Sequence, residues 1–158
     1  MDNPTGRTEI MEVREEFFDQ RIRIIDKIRK EKETDISEAE LIVAAGRGVK
    51  NPGDLELLRE LAELLGARLA CTRPLIEKGW FDARRQIGLS GRTVKPKLII
   101  TAGISGSVQF AAGMKGSDCI IAINNDRGAP IFDIAHYGLV GDLYEIVPRL
   151  IREIREGE

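Results

Sequence analysis

Three groups of residues have the types and spacing to hold an anionic ligand. The first is the turn Gly103-Ile104-Ser105-Gly106-Ser107. It joins an apolar run, Leu98 to Thr101, to the segment Ser105 to Met114, in which Val108, Ala111, Ala112 and Met114 recur at roughly helical spacing. A glycine-rich turn entering a helix leaves backbone N–H groups without intrahelical partners, and these groups together with the positive helix end favour an anion. Glycine also lets a phosphate approach the main chain closely. In outline this is a pyrophosphate cradle, although the same residues equally suit a plain helix cap. The order G-I-S-G-S-V-Q lacks the G-x-G-x-x-G spacing of the usual dinucleotide fingerprint. The second group is Arg47, bracketed by Gly46 and Gly48 after the apolar run Leu41 to Ala45. The third is Arg73, which follows the short strand-like run Arg68 to Ala70, with Asn124 in a comparable place after Cys119 to Ile123.

The elements that would position these groups alternate in type. The runs at 41, 68, 98 and 119 read as buried parallel strands, and Leu55, Leu58, Leu61, Ala62 and Leu65 form an amphipathic stripe ended by Gly66. Asn51 to Asp54 reads as a loop and N-cap, and Pro74 with Leu75 and Ile76 as one or two helical turns. Trp80 to Arg85 reads as a loop, Gln86 to Leu89 as a brief extended piece, and Ser90-Gly91 as a turn. Asn124 to Pro130 is a polar loop, and Ile131 to Ile134 is expected to be the last strand. From Leu143 a helical stripe runs to Ile154, with Pro148 expected to restart or kink it. Near the start, Arg7 to Val13 is strand-like, Glu15 to Lys32 is mostly helical in pattern, and Arg29 to Glu40 is a charged linker. Strands alternating with helices through short connections predict an α/β fold, an open parallel sheet flanked by helices. Ligands in such sheets gather outside the carboxyl ends of the strands, where Arg47, Arg73, Ser105 to Ser107 and Asn124 all fall.

Composition narrows the classes further. The chain has 158 residues, enough for one domain with a substantial core. With 24 basic and 26 acidic residues its net charge is −2, so no basic field invites nucleic acid. No apolar run reaches the roughly 18 residues a membrane span needs, and no signal-peptide pattern opens the chain. A cytoplasmic location is the expectation. Cys71 and Cys119 lie on or beside strands and form no C-x-x-C pair, so they read as reduced, packed thiols. The single histidine, His136, argues against a protein-built metal centre.

Together, AAGRGVK, CTRPLIEKGW, RQIGLSGRTVKPKLI, AGISGSVQFAAGM, IAINNDRGAPIF and YGLVGDLYEIVPRLI, in this order and spacing, resemble the C-terminal FAD-binding domain of the electron-transfer flavoprotein alpha subunit. The resemblance runs from about Ala39 to Ile154. It implies a parallel-sheet FAD-binding domain distinct from the Rossmann type, spanning residues 39–158 after a tail and crossover segment at 1–38. It implies an electron carrier rather than a stand-alone catalyst, taking electrons from dehydrogenases and passing them to an acceptor singly or, in some relatives, by bifurcation. The partner implied is the beta subunit, paired through a preceding domain of which this sequence is expected to be the C-terminal continuation. By the same resemblance, Ser105, Gly106, Ser107, Val108 and Gln109 would contact the pyrophosphate and ribityl chain, and Arg47 the phosphate and ribose region. Asn124, Asp142 and Leu143 would serve the adenosine end. Arg73, with Thr72 beside it, would lie against the isoalloxazine, while Gly88, Leu89 and Ser90 would run along the flavin, Ser90 offering a hydroxyl to N5.

The sequence departs from the family pattern at several positions. Phe110 stands where a histidine usually donates toward flavin O2, and a phenyl ring can pack or stack but cannot donate. Leu89 and Ser90 stand where glutamine and threonine are more usual, and His136 replaces an acidic residue. Two other readings compete. One is an enzyme domain of similar architecture that binds NAD or thiamine diphosphate, but no catalytic base, nucleophile or metal-holding aspartate motif accompanies the cradle. The other is a structural domain without cofactor, against which Arg73, Ser105, Gln109 and Asn124 speak. Arginine stays charged at any working pH and can lie flat against a ring, so it suits a carrier that must stabilise a flavin radical anion. Arg73→Ala is therefore expected to keep the fold while lowering the flavin potential and the yield of one-electron-reduced flavin. Redox titrations indistinguishable from the parent would refute that role.

Overall fold

The computed structural model describes residues 35–157. The expected elements at Arg7 to Val13 and Glu15 to Lys32 lie outside these residues. Within them, the end of the linker forms a 3-10 turn, Ile36–Glu38, capped by the Asp35 carboxylate on the Ser37 N–H at 3.0 Å.

Five strands form one parallel sheet: β1 (Leu41–Ala45), β2 (Arg68–Cys71), β3 (Leu98–Ala102), β4 (Cys119–Asn124) and β5 (Tyr137–Val140). Their spatial order is β2-β1-β3-β4-β5. Helices α1 (Leu55–Leu65), α2 (Arg73–Glu77), α3 (Val108–Met114), α4 (Ile131–Ile134) and α5 (Leu143–Glu156) connect or follow them. Strand alternation sorts the core into two layers. Val43, Ala45, Leu69, Ile100 and Ile123 face α1 and α5, meeting Leu58, Leu61, Val147 and Ile151. Ile42, Ala44, Ile99, Ile120 and Ala122 face the other way and meet Phe110, Met114, Ile131 and Ile87. The chain thus steps outward one way from β1 through α1, and the opposite way from β3 through α3 on the other face. That is the arrangement right-handed crossovers require. The order reverses between β1 and β3, whose carboxyl ends lie side by side, Ala45 beside Ala102.

One expected element is of the wrong type. Ile131–Ile134 is not the last strand but a short helix, with Ala135 N–H donating to the Ile131 carbonyl at 3.1 Å. A short apolar run does not distinguish strand from buried helix by period. Here Pro130 already has the helical ψ of −19° and Ile131 is wholly buried beneath the Ser105 turn, its N–H donating to the Ser105 carbonyl at 2.8 Å. The fifth strand is instead Tyr137–Val140, a largely exposed edge. Before it, His136 bonds both sides of Ile120: its main-chain N–H donates to the Ile120 carbonyl and its Nδ1 accepts the Ile120 N–H, each at 2.9 Å. Its use here is to seat the edge strand. Helix α5 runs through Pro148 without restarting, because its buried stripe of Leu143, Val147 and Ile151 holds it to α1 and the sheet.

Both cysteines are free, and burial pushes the Cys71 thiol up to about 12, so it behaves as a small apolar group. Among the described residues, no helix is long and apolar enough to cross a membrane, and no group of three or more His, Cys, Asp or Glu side chains could hold a metal ion.

A polar clamp ties α5 to the loop after β1. The Tyr144 hydroxyl donates to Asp54 Oδ2 at 2.6 Å and accepts the Lys50 N–H at 2.8 Å, while Asn51 donates to the same carboxylate from its main chain and side chain at 3.2 and 3.3 Å. The tyrosine hydroxyl above all, with Asn51, holds the Asp54 carboxyl below the usual carboxylate range. A lowered folded-state value means that this contribution is complete above the unfolded value near 3.8 and is lost as the pH falls through the folded one. The gap in thermal midpoint between the parent and Tyr144→Phe should therefore be widest near neutrality and narrow below about pH 4. Melting curves across that range check it.

Candidate functional site

Where the strand order reverses, two loops are zipped together beyond the ends of their strands. The Gly46 N–H donates to the Ala102 carbonyl at 3.0 Å and the Gly48 N–H to the Gly103 carbonyl at 2.9 Å. A side chain at Gly46 would collide with the Gly103 carbonyl, and one at Gly48 would sit 2.6 Å from the Gly103 Cα. Main chain therefore touches main chain here, and the surface beyond is left concave. A cleft of about 540 Å³ lies over this contact, lined by Arg47, Gly103 to Ser107, Phe110, Asn124 and Asn125 among others. A second cleft of about 340 Å³ is lined by Arg73, Glu77, Gln86 to Ser90 and Gln109. Both include Thr72, Pro74, Ser107 and Phe110, so together they make one elongated trough along the carboxyl edge.

The turn after β3 forms the floor of this trough. The backbone N–H groups of Ser105, Gly106, Ser107, Val108 and Gln109 find no acceptor among the described residues. The Ser107 hydroxyl caps the helix by accepting the Phe110 N–H at 3.3 Å. Because α3 has only seven residues, its dipole is modest, and the individual N–H groups supply most of the local positive potential. Gly106 has φ +86°, and a Cβ there would lie 2.6 Å from the main chain of Ile131. This turn therefore requires glycine twice over, for its backbone conformation and for its contact with α4.

The walls are placed by neighbouring elements. Arg47 is exposed in the first cleft with no ion-pair partner among the described residues. Arg73 opens α2, and its Nε donates to Glu77 Oε1 at 2.9 Å one turn later. Both groups of that pair are more than half exposed, so water screens the attraction, and the guanidinium keeps its other N–H donors. Asn124 is pinned from both sides: its Nδ2 donates to the Ile104 carbonyl at 2.9 Å and its Oδ1 accepts the Asp126 N–H at 2.8 Å. The strap formed by residues 86–94 lies across α3. The Leu89 N–H donates to the Gln109 carbonyl at 3.1 Å and the Val94 N–H to the Gly113 carbonyl at 2.8 Å.

Of the residues named from sequence, Arg47, Thr72, Arg73, Gly88, Leu89, Ser90, Ser105, Gly106, Ser107, Gln109, Phe110 and Asn124 line the trough. Phe110 is 3 % exposed, so most of it is core, although it borders both clefts. Val108 is 79 % exposed on the outer side of α3 and lines neither cleft, although its N–H belongs to the unpaired set. Asp142 and Leu143 also lie outside the lining. The Asp142 carboxylate caps α5 on the Tyr144 N–H at 2.9 Å, and Leu143 is buried with one methyl against the position a Gly103 Cβ would take. Sequence reasoning missed Glu77 and Gln86. Glu77 carries a signal in its i+4 spacing from Arg73, and Gln86 carries none beyond its type.

The profile of the electron transfer flavoprotein FAD-binding domain matches residues 35–115, about half of the chain. The chain belongs to this family. Its cofactor is FAD. Among curated relatives, the lactate dehydrogenase (NAD(+),ferredoxin) subunit LctC of Acetobacterium woodii is 60% identical over the whole of this chain and 38% of its own length. Protein FixB of Clostridium saccharobutylicum is 46% identical over 98% of this chain and 47% of its own length. The electron transfer flavoprotein subunit alpha of Megasphaera elsdenii is 46% identical over 77% of this chain and 36% of its own length. The chain therefore spans less than half the length of these relatives.

An FAD-binding domain needs an elongated trough, an anion cradle along it and a way to offset charge gained by the ring. The present residues fit each requirement: the unpaired N–H groups of 105–109, the two arginines, and apolar lining from Ile104, Phe110 and Leu89. When bound, FAD supplies reversible one- and two-electron transfer. Gly106→Ala should force the turn off Ile131 at a cost of about 1–3 kcal/mol and weaken FAD binding at least about tenfold. Fluorescence titration with FAD, beside thermal unfolding of the apoprotein, measures both effects.

Proposed function

We propose that this domain holds FAD as part of an electron-transfer flavoprotein alpha subunit that pairs with a beta subunit and passes electrons from a dehydrogenase to an acceptor in the cytoplasm. The observation that carries the reading is the placement of Arg47, the unpaired amides of 105–109 and Arg73 along one continuous rim. In this reading, the amides of Ser105 to Gln109 take the pyrophosphate and ribityl oxygens, and Arg47 neutralises the phosphate and ribose end. Asn124 lies toward the adenosine, with Asp142 and Leu143 shaping that end from behind the Gly103 turn rather than by lining the trough. Arg73 and Thr72 lie against the ring, and Gly88 to Ser90 run beside it. Residues 39–158 form the FAD-binding unit, and 1–38 the tail and crossover that lead into it.

The chemistry of the walls supports a carrier rather than a hydride-transferring enzyme. A fixed cation beside the ring favours added electron density without moving a proton. Phe110 in place of a donor removes one stabilising hydrogen bond from the ring's carbonyl region, leaving Arg73 as the main electrostatic lever there. The NAD or thiamine diphosphate alternative lacks a base or nucleophile in the trough, and a cofactor-free domain gives no use for five unpaired amides at a concave edge.

Adding FAD to the purified chain and removing the excess should leave absorbance at about 450 nm in proportion to protein. Coexpression with a beta subunit should raise that occupancy and yield a stable complex on gel filtration. Failure to retain FAD in either form, with saturable binding of NAD⁺ or thiamine diphosphate instead, would overturn the proposal.

A further inference from the structure

Gln86 is the residue least accounted for. It is 7 % exposed, one of the few polar side chains buried in the described part of the chain, and it faces the second cleft. Its main chain is held on both sides: its N–H donates to the Ala83 carbonyl at 3.2 Å, and its carbonyl accepts the Arg92 N–H at 2.7 Å. Gly91 packs so tightly over it that any side chain there would strike the Gln86 carbonyl. From this fixed origin the Gln86 Nε2 donates to the Ser90 Oγ at 2.8 Å.

A serine hydroxyl has one proton to give and two lone pairs to receive. The amide of Gln86 occupies a lone pair, so the hydroxyl proton is not needed for that bond and must point elsewhere. Among the described residues no acceptor takes it, and the open side of Ser90 is the cleft. We infer that Gln86 is a positioning residue: by donating to Ser90 it turns the Ser90 hydroxyl into a donor aimed at the flavin ring. The inference rests on the reading that the ring lies beside Gly88 to Ser90. Accepting a hydrogen bond from the amide also polarises the hydroxyl and strengthens its outward donation. A donor aimed at the ring favours the reduced, more electron-rich flavin, so its loss lowers the midpoint potential.

The test is a double-mutant cycle on the FAD-loaded protein, read by the midpoint potential of the flavin and by its visible spectrum, with thermal unfolding to show that each variant is folded. Ser90→Ala should lower the potential. Gln86→Leu should move it in the same direction, and in the Ser90→Ala background Gln86→Leu should add almost nothing, because its effect passes through the hydroxyl. Equal effects of Gln86→Leu in both backgrounds, or no effect in either while Ser90→Ala still shifts the potential, would overturn the positioning role alone. No shift from Ser90→Ala would instead remove the placement of the ring on which the inference stands. If Gln86→Leu does not fold, Gln86→Met replaces it in the cycle. A thioether of similar length has no N–H to donate and adds no charge beside the ring, so the same coupling to Ser90 is expected, and its absence would again count against the role.

Discussion

Beyond the carboxyl ends of β1 and β3, the main chain of Gly48 lies against that of Gly103, closer than any pair of side-chain-bearing residues could stand. The rest of the site depends on this contact. It fixes how far the two loops rise above the sheet, and hence the depth of the trough and the height at which Arg47 and the 105–109 amides are presented. It also falls where neighbouring strands send their chains to opposite faces of the sheet. The crevice is therefore a consequence of topology before any side chain is considered.

On this base, charge is supplied sparingly. The cradle is built from neutral amides, and among the described residues the full positive charges in the lining are Arg47 and Arg73. Glu77 accepts from the Arg73 Nε in a solvent-exposed pair, which leaves the charge of the guanidinium largely uncancelled. With Phe110 in the core at the junction of the two clefts, the polar side chains Gln86 and Ser90 of the second cleft lie on the strap. The lining thus offers hydrogen-bonding groups more than net charge, in keeping with a chain whose overall balance is close to neutral.

The supports of the site are packed and hydrogen-bonded to segments far away in sequence. The turn over Ile131, the strap over α3 and the Tyr144–Asp54 clamp each join segments distant in sequence, the last separated by 90 positions. A redox site benefits from such support because an environment that is already oriented needs little rearrangement when the ring gains charge.

By itself the sequence determined what is local. The apolar runs Leu41 to Ala45, Leu98 to Thr101 and Cys119 to Ile123 marked β1, β3 and β4, the shorter Arg68 to Ala70 marked β2, 3.6-residue stripes marked α1 and α5, and the glycine-serine turn pointed to an anion cradle, because period and turn chemistry act over a few residues. The family motifs added FAD. Local pattern failed at Ile131–Ile134, where Ile-Phe-Asp-Ile is too short to decide between strand and helix and burial under the Ser105 turn chose the helix. It was also blind to roles that arise only on folding. Gln86 and Tyr144 look ordinary in the sequence, yet Gln86 donates to the Ser90 hydroxyl and Tyr144 clamps the loop after β1. Tertiary structure alone decided the strand order, the contact of glycines 48 and 103, and the merging of two clefts into one trough. Each of these depends on main-chain surfaces far apart in sequence meeting, which no window of neighbouring residues encodes.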